Sequence, residues 1–207
     1  MRRVWGRATS SNVMKVVWLL EELGLPYERL DVGGSFGRTD TPEYRAMNPN
    51  GLVPTLDEDG FFLWESNAIC RYLCAAYAPD SPLWPTEPRA RANADRWMDW
   101  QQTTLNRPIG VVFWGLVRTP PEKRDHAAIA NAIKDLTRIW GILEAALGGH
   151  DYVGGTSFTL ADIPIGVHVH RWFTMDFERP ELPNLRAWYD RLLSRPPYTA
   201  HVARPLA

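Results

Sequence analysis

The sequence predicts an α/β fold in its first part and an all-helical fold in its second. Strand-like and helix-like patterns alternate in the first part, whereas apolar residues in the second recur only at helical spacing. Four prolines that interrupt regular structure separate the two parts: Pro79, Pro82, Pro85 and Pro88. We therefore expect an N-terminal domain at 1–78, a linker at 79–88 and a helical domain at 89–207.

The N-terminal part is predicted to follow the order β-α-β-α-β-β-α, with strands at 2–5, 27–32, 53–57 and 61–64. Apolar residues at helical spacing form its first helix, which ends at Gly24: Val13, Val16, Val17, Leu20 and Leu23. Thr41-Pro42 supplies the cap and the first-turn proline of a short helix. Asp59-Gly60 is typical of a hairpin turn, and a helix from Ser66 to about Tyr77 completes the unit.

The C-terminal part is predicted to consist of amphipathic helices. One apolar stripe ends at Gly148-Gly149 and contains Ile129, Ile133, Leu136, Trp140, Leu143 and Leu147. A second stripe contains Leu185, Trp188, Tyr189 and Leu192. Between them, the segment from Thr159 to Asp162 resembles a capping box with Asp in place of the usual Glu. Asp162 is expected to strengthen the start of a helix in the core.

Composition excludes several classes of protein. The formal net charge is −1 and no basic stripe is present, which disfavours nucleic-acid binding. The basic start Met1-Arg2-Arg3 is not followed by an apolar segment, so we expect no signal peptide. The apolar run 108–117 is too short to span a membrane. Two cysteines fit a reducing cytoplasm, and ten tryptophans predict an aromatic core or cleft.

The most informative segment runs from Asn48 to Ser66. It contains a Val53-Pro54 pair, a short acidic turn, and Glu65-Ser66 directly before an apolar helix. This segment combines a backbone edge that can pair with a ligand, a proline that fixes the chain path, and an anionic side chain beside a helix N-terminus. Such a segment can hold a small peptide that carries both an ammonium and a carboxylate group.

This layout resembles that of the cytosolic glutathione transferases, and closest to it are the serine-type members, such as the theta-like and zeta-like bacterial enzymes. The motifs that carry the resemblance are Ser10-Ser11-Asn12 before the first helix, the Val53-Pro54 and Glu65-Ser66 pairs, and the later Thr-x-x-Asp at Thr159. The resemblance covers essentially the whole chain. It implies a thioredoxin-like N-terminal domain, a helical C-terminal domain, glutathione as co-substrate, no metal and a homodimer.

The resemblance also implies roles for the residues around the second motif. Pro54 corresponds to a cis-proline that turns the N–H and C=O of Val53 towards the cysteinyl part of glutathione; the alternative is an ordinary edge-strand proline. Ser66, at the N-cap of its helix, is expected to bind the γ-glutamyl carboxylate. Glu65 is expected to pair with the ammonium. The alternatives are a plain cap for Ser66 and a solvated charge for Glu65.

Ser10 is the first candidate for the hydroxyl that contacts the glutathione sulfur, with Asn12 second and Ser11 third. A thiol of pKa ~8.5 is only about 3% ionised at neutral pH, and lowering that pKa by about two units needs roughly 2.7 kcal/mol. A hydrogen bond to a charged group contributes about 1.5–3 kcal/mol, and a helix N-terminus adds about 0.3–1 kcal/mol. These two contributions suffice without a metal. The alternative is a helix cap without chemistry.

Other parts of the site are less defined in the sequence. Arg38 and Thr39 are the candidates for binding the glycyl carboxylate, since Leu52 stands where some relatives carry Lys. Phe113 and Trp114 are candidates for lining the electrophile pocket, with core packing as the alternative. Asp99, Gln102 and Arg107 are possible contacts to a second subunit, with a solvated helix face as the alternative.

Two cysteines and two histidines are expected to be structural. Cys70 and Cys74 lie four residues apart on a helix and do not form a C-x-x-C redox motif. His168 and His170 point to different faces of their helix, so they cannot share a metal.

Three functions fit the sequence. The first is conjugation of glutathione to small electrophiles. The second is a glutathione-dependent peroxidase, isomerase or dehalogenase on the same fold. The third is a non-catalytic protein-binding module.

Overall fold

The computed structural model describes residues 1–206, and its N-terminal part contains one four-stranded mixed sheet. The strands are β1 (Arg2–Trp5), β2 (Glu28–Leu30), β3 (Thr55–Glu58) and β4 (Phe61–Trp64). Their spatial order is β2-β1-β3-β4. β1 pairs in parallel with β2, and the pairs β1–β3 and β3–β4 are antiparallel. The sheet thus has the predicted mixed α/β character.

Three helices accompany this sheet, namely α1 (Ser11–Glu22), α2 (Pro42–Met47) and α3 (Ser66–Tyr77). The hydroxyl of Thr41 accepts a hydrogen bond from the Tyr44 N–H at 3.3 Å, as expected for the cap of α2. Two predicted strands were too long. β2 pairs only over Glu28–Leu30, opposite β1, and β3 begins at Thr55, since Pro54 has no N–H to contribute to a ladder.

Between Pro88 and His201 the chain is mainly helical, and its longest connection, residues 147–161, lies between α6 and α7. The helices are α4 (Pro88–Trp100), α5 (Asn106–Phe113), α6 (His126–Ala146), α7 (Asp162–Thr174), α8 (Pro183–Leu193) and α9 (Pro196–His201). π-helical turns follow α4 at Gln101–Leu105 and α5 at Trp114–Arg118. Both predicted apolar stripes face the core, on α6 and α8. No helix within residues 1–206 is long and apolar enough to cross a membrane.

Helix α1 is the central element of the molecule. Every residue from Val13 to Leu20 except Met14 is buried in it, so this helix is covered on all of its sides. Trp18 packs against Tyr198 with ring centroids 4.7 Å apart and against Phe158 at 5.6 Å. A Cβ added at Gly166 of α7 would lie 2.8 Å from the Trp18 ring, so α7 can approach α1 closely only with glycine there.

Asp162 fixes the start of α7. Its carboxylate is fully buried and accepts hydrogen bonds from the backbone N–H groups of Thr159 and Val153 at 2.8 and 2.9 Å and from the Trp188 indole at 2.8 Å. Only one of the two bonds of the predicted capping box is present. The Thr159 hydroxyl accepts from the Ala161 N–H at 3.3 Å and not from that of Asp162, because α7 begins at Asp162 itself.

Candidate active site

The Val53–Pro54 peptide bond is cis, as the resemblance to glutathione transferases implies. Val53 lies just before β3, and its N–H and C=O form no backbone hydrogen bond with any residue in the range 1–206. The side chain of Tyr44 and the amide of Asn48 both donate to the neighbouring Leu52 carbonyl, at 2.7 and 2.9 Å. The loop is therefore held from one side, while the Val53 backbone stays available to a peptide ligand.

The junction between β4 and α3 differs by one residue from the prediction. Ser66 was expected at the N-cap, but Glu65 occupies that position and Ser66 is the first residue of the helix. Glu65 adopts φ +70°, which is uncommon for a residue with a side chain and is often found at binding sites. The first helical N–H groups, starting at Ser66, have no side-chain cap and can bind an anion.

The three candidate donors at the start of α1 have different surroundings. Ser10 is the N-cap residue of α1, and its carbonyl accepts from the Met14 N–H at 2.9 Å, yet its hydroxyl caps no backbone N–H. The Asn12 Oδ1 accepts from the Ser66 hydroxyl at 3.3 Å, whereas its amide N–H group makes no hydrogen bond within residues 1–206. Ser11 is half-buried at the first helical position, and Ser10 is half-buried as well. The position in the helix distinguishes the two hydroxyls, because Ser10 is the N-cap residue and Ser11 already belongs to the first turn.

A buried lysine lies directly behind the Ser66 position, and it was not among the candidates from the sequence. The ammonium of Lys15 is fully buried and donates to the Gln101 side-chain oxygen at 2.8 Å. It also lies 3.4 Å from Ser66 Oγ and 3.4 Å from Asn67 Oδ1. Burial lowers the pKa of Lys15 to about 8.

This network continues into the helical part of the chain. The Gln101 amide nitrogen lies 2.9 Å from Nε2 of His168, which is fully buried on α7. The Asn67 amide donates to the Met98 carbonyl of α4 at 3.0 Å. Burial, together with the charges of Arg171 and Lys15, lowers the pKa of His168 well below its ordinary value. His168 is therefore neutral at physiological pH, and the network contains a single charge, that of Lys15.

The candidates for the glycyl end lie at the opposite side of the Val53 loop. Arg38 is exposed with φ +70°, and its guanidinium lies over the Trp5 ring, 5.8 Å from the centroid. Thr39 is half-buried, and its methyl group would lie 3.5 Å from a Cβ added at Gly33. Leu52 is 65% exposed beside Val53. Thr39 thus lies beside Gly33 and beside Gly51 in the segment before Val53, whereas the Arg38 side chain lies over Trp5 of β1.

The candidate residues for the electrophile pocket lie where the start of α1 faces the helical part of the chain. Phe113 is buried and lines a small cavity together with Thr9 and Arg171. The Arg171 guanidinium stacks on the Phe113 ring, 3.8 Å from its centroid. Trp114 is 60% exposed and points away from the core, with Arg118 5.9 Å above its ring. Phe113 lies near the N-terminus of α1, whereas Trp114 is not among the residues that line this cavity.

Cationic side chains surround this pocket. Burial and, to a smaller extent, the charges of Arg118 and Arg7 together lower the pKa of Arg171 to about 10. The Arg7 side chain lies along the loop opposite, because a Cβ added at Gly34 would be 3.0 Å from its Cδ. Positive charges near the start of α1 favour a thiolate over a thiol.

The residues predicted to be structural have structural surroundings. Cys70 and Cys74 are buried, and burial raises the pKa of each thiol to about 12. His170 lies against Tyr189 and the Arg204 carbonyl, away from His168. Across residues 1–206, no group of three or more His, Cys, Asp or Glu is arranged to hold a metal ion.

Lys15 could have been found from the sequence. It stands alone among apolar residues from Val13 to Leu20, within the helix whose stripe includes Val16 and Val17. A lone charge inside a helix that is apolar on all sides must be buried or leave the helix exposed on one face. The periodicity of apolar residues identified the helix. That Lys15 is enclosed becomes clear only from the structure, in which other elements cover α1 on all sides.

The fold and the cis-proline together define the class of protein. A four-stranded mixed sheet with a cis-proline before its third strand, followed by a helical bundle, is a thioredoxin-like domain with a C-terminal helical domain. The chain belongs to the glutathione S-transferase family. Residues 9–76 match the N-terminal domain of glutathione S-transferases, and residues 127–191 match their C-terminal domain.

Individual relatives agree with this assignment. The chain is 43% identical to glutathione S-transferase GstB of Escherichia coli K12 over 209 aligned residues, covering 100% of both chains. It is 32% identical to glutathione S-transferase D7 of Drosophila melanogaster, covering 87% of this chain and 78% of that protein. The crystal structure of a theta class glutathione S-transferase from Xanthomonas axonopodis pv. citri, with glutathione bound, superimposes with a TM-score of 0.95 at 50% identity, covering 100% of this chain and 99% of the other.

Proposed function

We propose that the protein binds glutathione between the Val53 loop and the N-terminus of α3, and that Ser10 stabilises the thiolate for attack on a small electrophile. The single observation that carries the proposal is the state of the Ser10 hydroxyl. It stands at the N-terminus of α1 without capping any backbone N–H, so it can donate to a sulfur anion. The names of the relatives support conjugation over a peroxidase, isomerase or dehalogenase reaction and over a non-catalytic module.

The peptide is bound through three parts of the site. The Val53 N–H and C=O pair with the cysteinyl residue, since the backbone of Val53 is not used by the sheet. The γ-glutamyl carboxylate accepts from the first N–H groups of α3 at Ser66, and its ammonium pairs with Glu65. Thr39 and Arg38 are the proposed donors to the glycyl carboxylate.

The chemical step needs only a lowered thiol pKa. A shift of about two units from ~8.5 corresponds to roughly 2.7 kcal/mol. The Ser10 hydroxyl contributes about 1.5–3 kcal/mol as a hydrogen bond to a charge, and the N-terminus of α1 contributes about 0.3–1 kcal/mol. The thiolate then attacks an electrophile held against Phe113, and the leaving group departs with the electron pair of the broken bond.

The assembly and its location form a second part of the proposal. We propose a cytoplasmic homodimer with a thioredoxin-like domain at 1–78, a linker at 79–88 and a helical domain at 89–207. Exposed aromatic side chains on the edge strand β4 support a partner surface: Phe61, Phe62 and Trp64. Gln102 and Arg107 are exposed and remain candidates for cross-subunit contacts, whereas Asp99 already binds Arg71 at 2.8 Å within the chain.

The proposal is tested by Ser10→Ala with Ser11→Ala as the matched control. Loss of about 1.5–3 kcal/mol of thiolate stabilisation corresponds to a decrease in kcat/KM of roughly 10- to 150-fold for Ser10→Ala. Ser11→Ala should stay within about threefold of the wild type. The measurement is the rate of conjugation of 1-chloro-2,4-dinitrobenzene at pH 6.5. Equal rates for the two variants would refute Ser10 as the thiolate donor.

A further inference from the structure

No negatively charged group contacts the Lys15 ammonium within residues 1–206. The role that we infer for this lysine rests on the proposed function, the binding of glutathione. Its three partners are the neutral oxygens of Gln101, Ser66 and Asn67. The Arg2–Glu58 and Arg195–Glu22 ion pairs are partly exposed to solvent, whereas Lys15 is fully buried and forms no ion pair within residues 1–206. Burying a charge without an opposite charge lowers the stability of the fold. A ligand that carries the opposite charge offsets this loss when it binds.

The charged and titratable groups around Lys15 do not supply it. On α3, Cys70 has its pKa raised to about 12 by burial and stays a neutral thiol. On α7, Arg171 repels the ammonium and His168 is neutral. Glu65 attracts it at longer range, but this side chain is exposed and forms no hydrogen bond with Lys15.

The position of the ammonium relates it directly to the ligand. Nζ of Lys15 lies 3.4 Å from Ser66 Oγ, just behind the first turn of α3. A carboxylate that accepts the Ser66 hydroxyl proton, which the hydroxyl donates to Asn12 Oδ1 in the free protein, therefore lies within about 6 Å of the ammonium. At that separation an opposite charge favours the ionised form of both groups.

We propose that Lys15 is a positioning residue of the glutathione site, whose buried positive charge is neutralised by the γ-glutamyl carboxylate when the tripeptide binds. The Lys15 ammonium donates hydrogen bonds to the side chains of Ser66 and Asn67 and so fixes the first turn of α3. Its charge attracts the ligand carboxylate in addition to the N-terminus of α3. Glu65 takes the ammonium of the same γ-glutamyl group. Binding thus exchanges one uncompensated buried charge for a compensated pair.

Binding and the protonation of Lys15 are therefore linked. The carboxylate raises the pKa of Lys15 above the value of about 8 set by burial. The protonated protein binds more tightly, and affinity falls as pH rises through the free-state pKa. A rise of one pKa unit in the complex corresponds to a tenfold difference in affinity between the protonated and the neutral lysine.

The first test is an NMR titration of the wild-type chain labelled with ¹³Cε-lysine. The chain has only the lysines Lys15, Lys123 and Lys134, so the signals are assigned with single variants. The ligand is S-methylglutathione, whose sulfur has no proton to lose. We expect Lys15 to titrate near pH 8 in the free protein and at least one unit higher with saturating ligand. Equal pKa values in the two states would overturn the inference.

The second test compares Lys15→Met with the matched exposed control Lys134→Met. We expect Lys15→Met to weaken S-methylglutathione binding about tenfold at pH 7 and to flatten its pH dependence relative to the wild type. With glutathione and an electrophile, KM for glutathione should rise about tenfold while kcat at saturation stays within twofold. Lys134→Met should match the wild type.

The possible results separate the inference from the function it rests on. Unchanged affinity of Lys15→Met would overturn the role of Lys15 while leaving glutathione binding intact. If the wild type itself does not bind S-methylglutathione, both the proposed function and the inference are wrong. If Lys15→Met fails to fold, the NMR titration of the wild-type chain decides the question alone.

Discussion

Asp162 and Lys15 are both fully buried and ionisable, but they differ in how completely the chain satisfies them with hydrogen bonds. The Asp162 carboxylate accepts four hydrogen bonds, among them the N–H groups of Val153 and Thr159 and the Trp188 indole. Lys15 has one short hydrogen bond, at 2.8 Å, and two partners at 3.4 Å. A buried charge that serves folding is saturated within the chain, whereas one beside a binding site leaves room for a ligand.

The surroundings of the two residues agree with this difference. Asp162 joins the loop before α7 to α8 and lies within the helical part. Lys15 joins α1, α3 and the turn after α4, which are the elements that meet at the proposed glutathione site. Removing the first residue should therefore affect stability, and removing the second should affect ligand binding.

The largest expected effect is that of Asp162→Ala. The substitution leaves two backbone N–H groups and an indole N–H buried without an acceptor, so the free energy of unfolding should fall by about 3–5 kcal/mol. Urea denaturation followed by fluorescence measures it. The control is Asp190→Ala, an exposed residue in an i, i+4 ion pair with Arg186, which should cost less than about 0.5 kcal/mol. A loss below about 1 kcal/mol for Asp162→Ala would show that the hydrogen bonds of Asp162 contribute little to stability.

The second effect concerns the pH dependence of stability. The pKa of Lys15 is about 8 in the folded chain and 10.5 in its ordinary state, so the unfolded chain binds more protons between these values. The free energy of unfolding should therefore increase from pH 8 to pH 10.5, by up to about 3 kcal/mol, relative to Lys15→Met. Below pH 8 both states hold the proton and this contribution does not change with pH.

This second prediction is checked by urea denaturation of the wild type and Lys15→Met in half-unit steps across the window. Other groups that titrate there, mainly tyrosines, are common to both chains and cancel in the difference. Parallel curves for the two proteins would mean that Lys15 keeps an ordinary pKa in the fold.

The smallest expected effect comes from supplying the missing counter-charge within the chain. Gln101→Glu places a carboxylate at the position of an oxygen that is now 2.8 Å from Nζ of Lys15. The lysine then no longer needs the ligand carboxylate, and affinity for glutathione should fall roughly 5- to 10-fold, or about 1 kcal/mol. Calorimetry measures this, with Asn131→Asp on α6 as the control, because it also converts an exposed amide into a carboxylate. Unchanged affinity would show that the charge of Lys15 is not used in binding.

Much of the fold could be predicted because its elements have strong local signals. β1, β4 and α3 have the predicted ranges, and the apolar stripes of α6 and α8 face the core. Periodicity and turn residues determine such elements without reference to the rest of the chain. The ends of β2 and β3 could not be predicted in this way, since pairing partners and the missing N–H of Pro54 decide where a ladder stops.

The site was predictable where a motif has a local physical meaning. The placement of Glu65 and Ser66 at the start of α3 follows from a short segment, although the cap is one residue earlier than expected. The cis bond before Pro54 was expected only from the family resemblance. Lys15 and Gln101 lie 86 positions apart, and only the packing of α1 against α3 and the turn after α4 brings them together. Interactions of that kind are fixed by tertiary structure and leave little trace in a single sequence.

The central claim is that the Ser10 hydroxyl lowers the pKa of the glutathione thiol. The most direct measurement is the ultraviolet absorbance of the bound thiolate as a function of pH, in the wild type and in Ser10→Ala, each saturated with glutathione. The account predicts a bound thiol pKa near ~6.5 in the wild type and a return towards ~8.5 in the variant. Identical titration curves for the two proteins would contradict it.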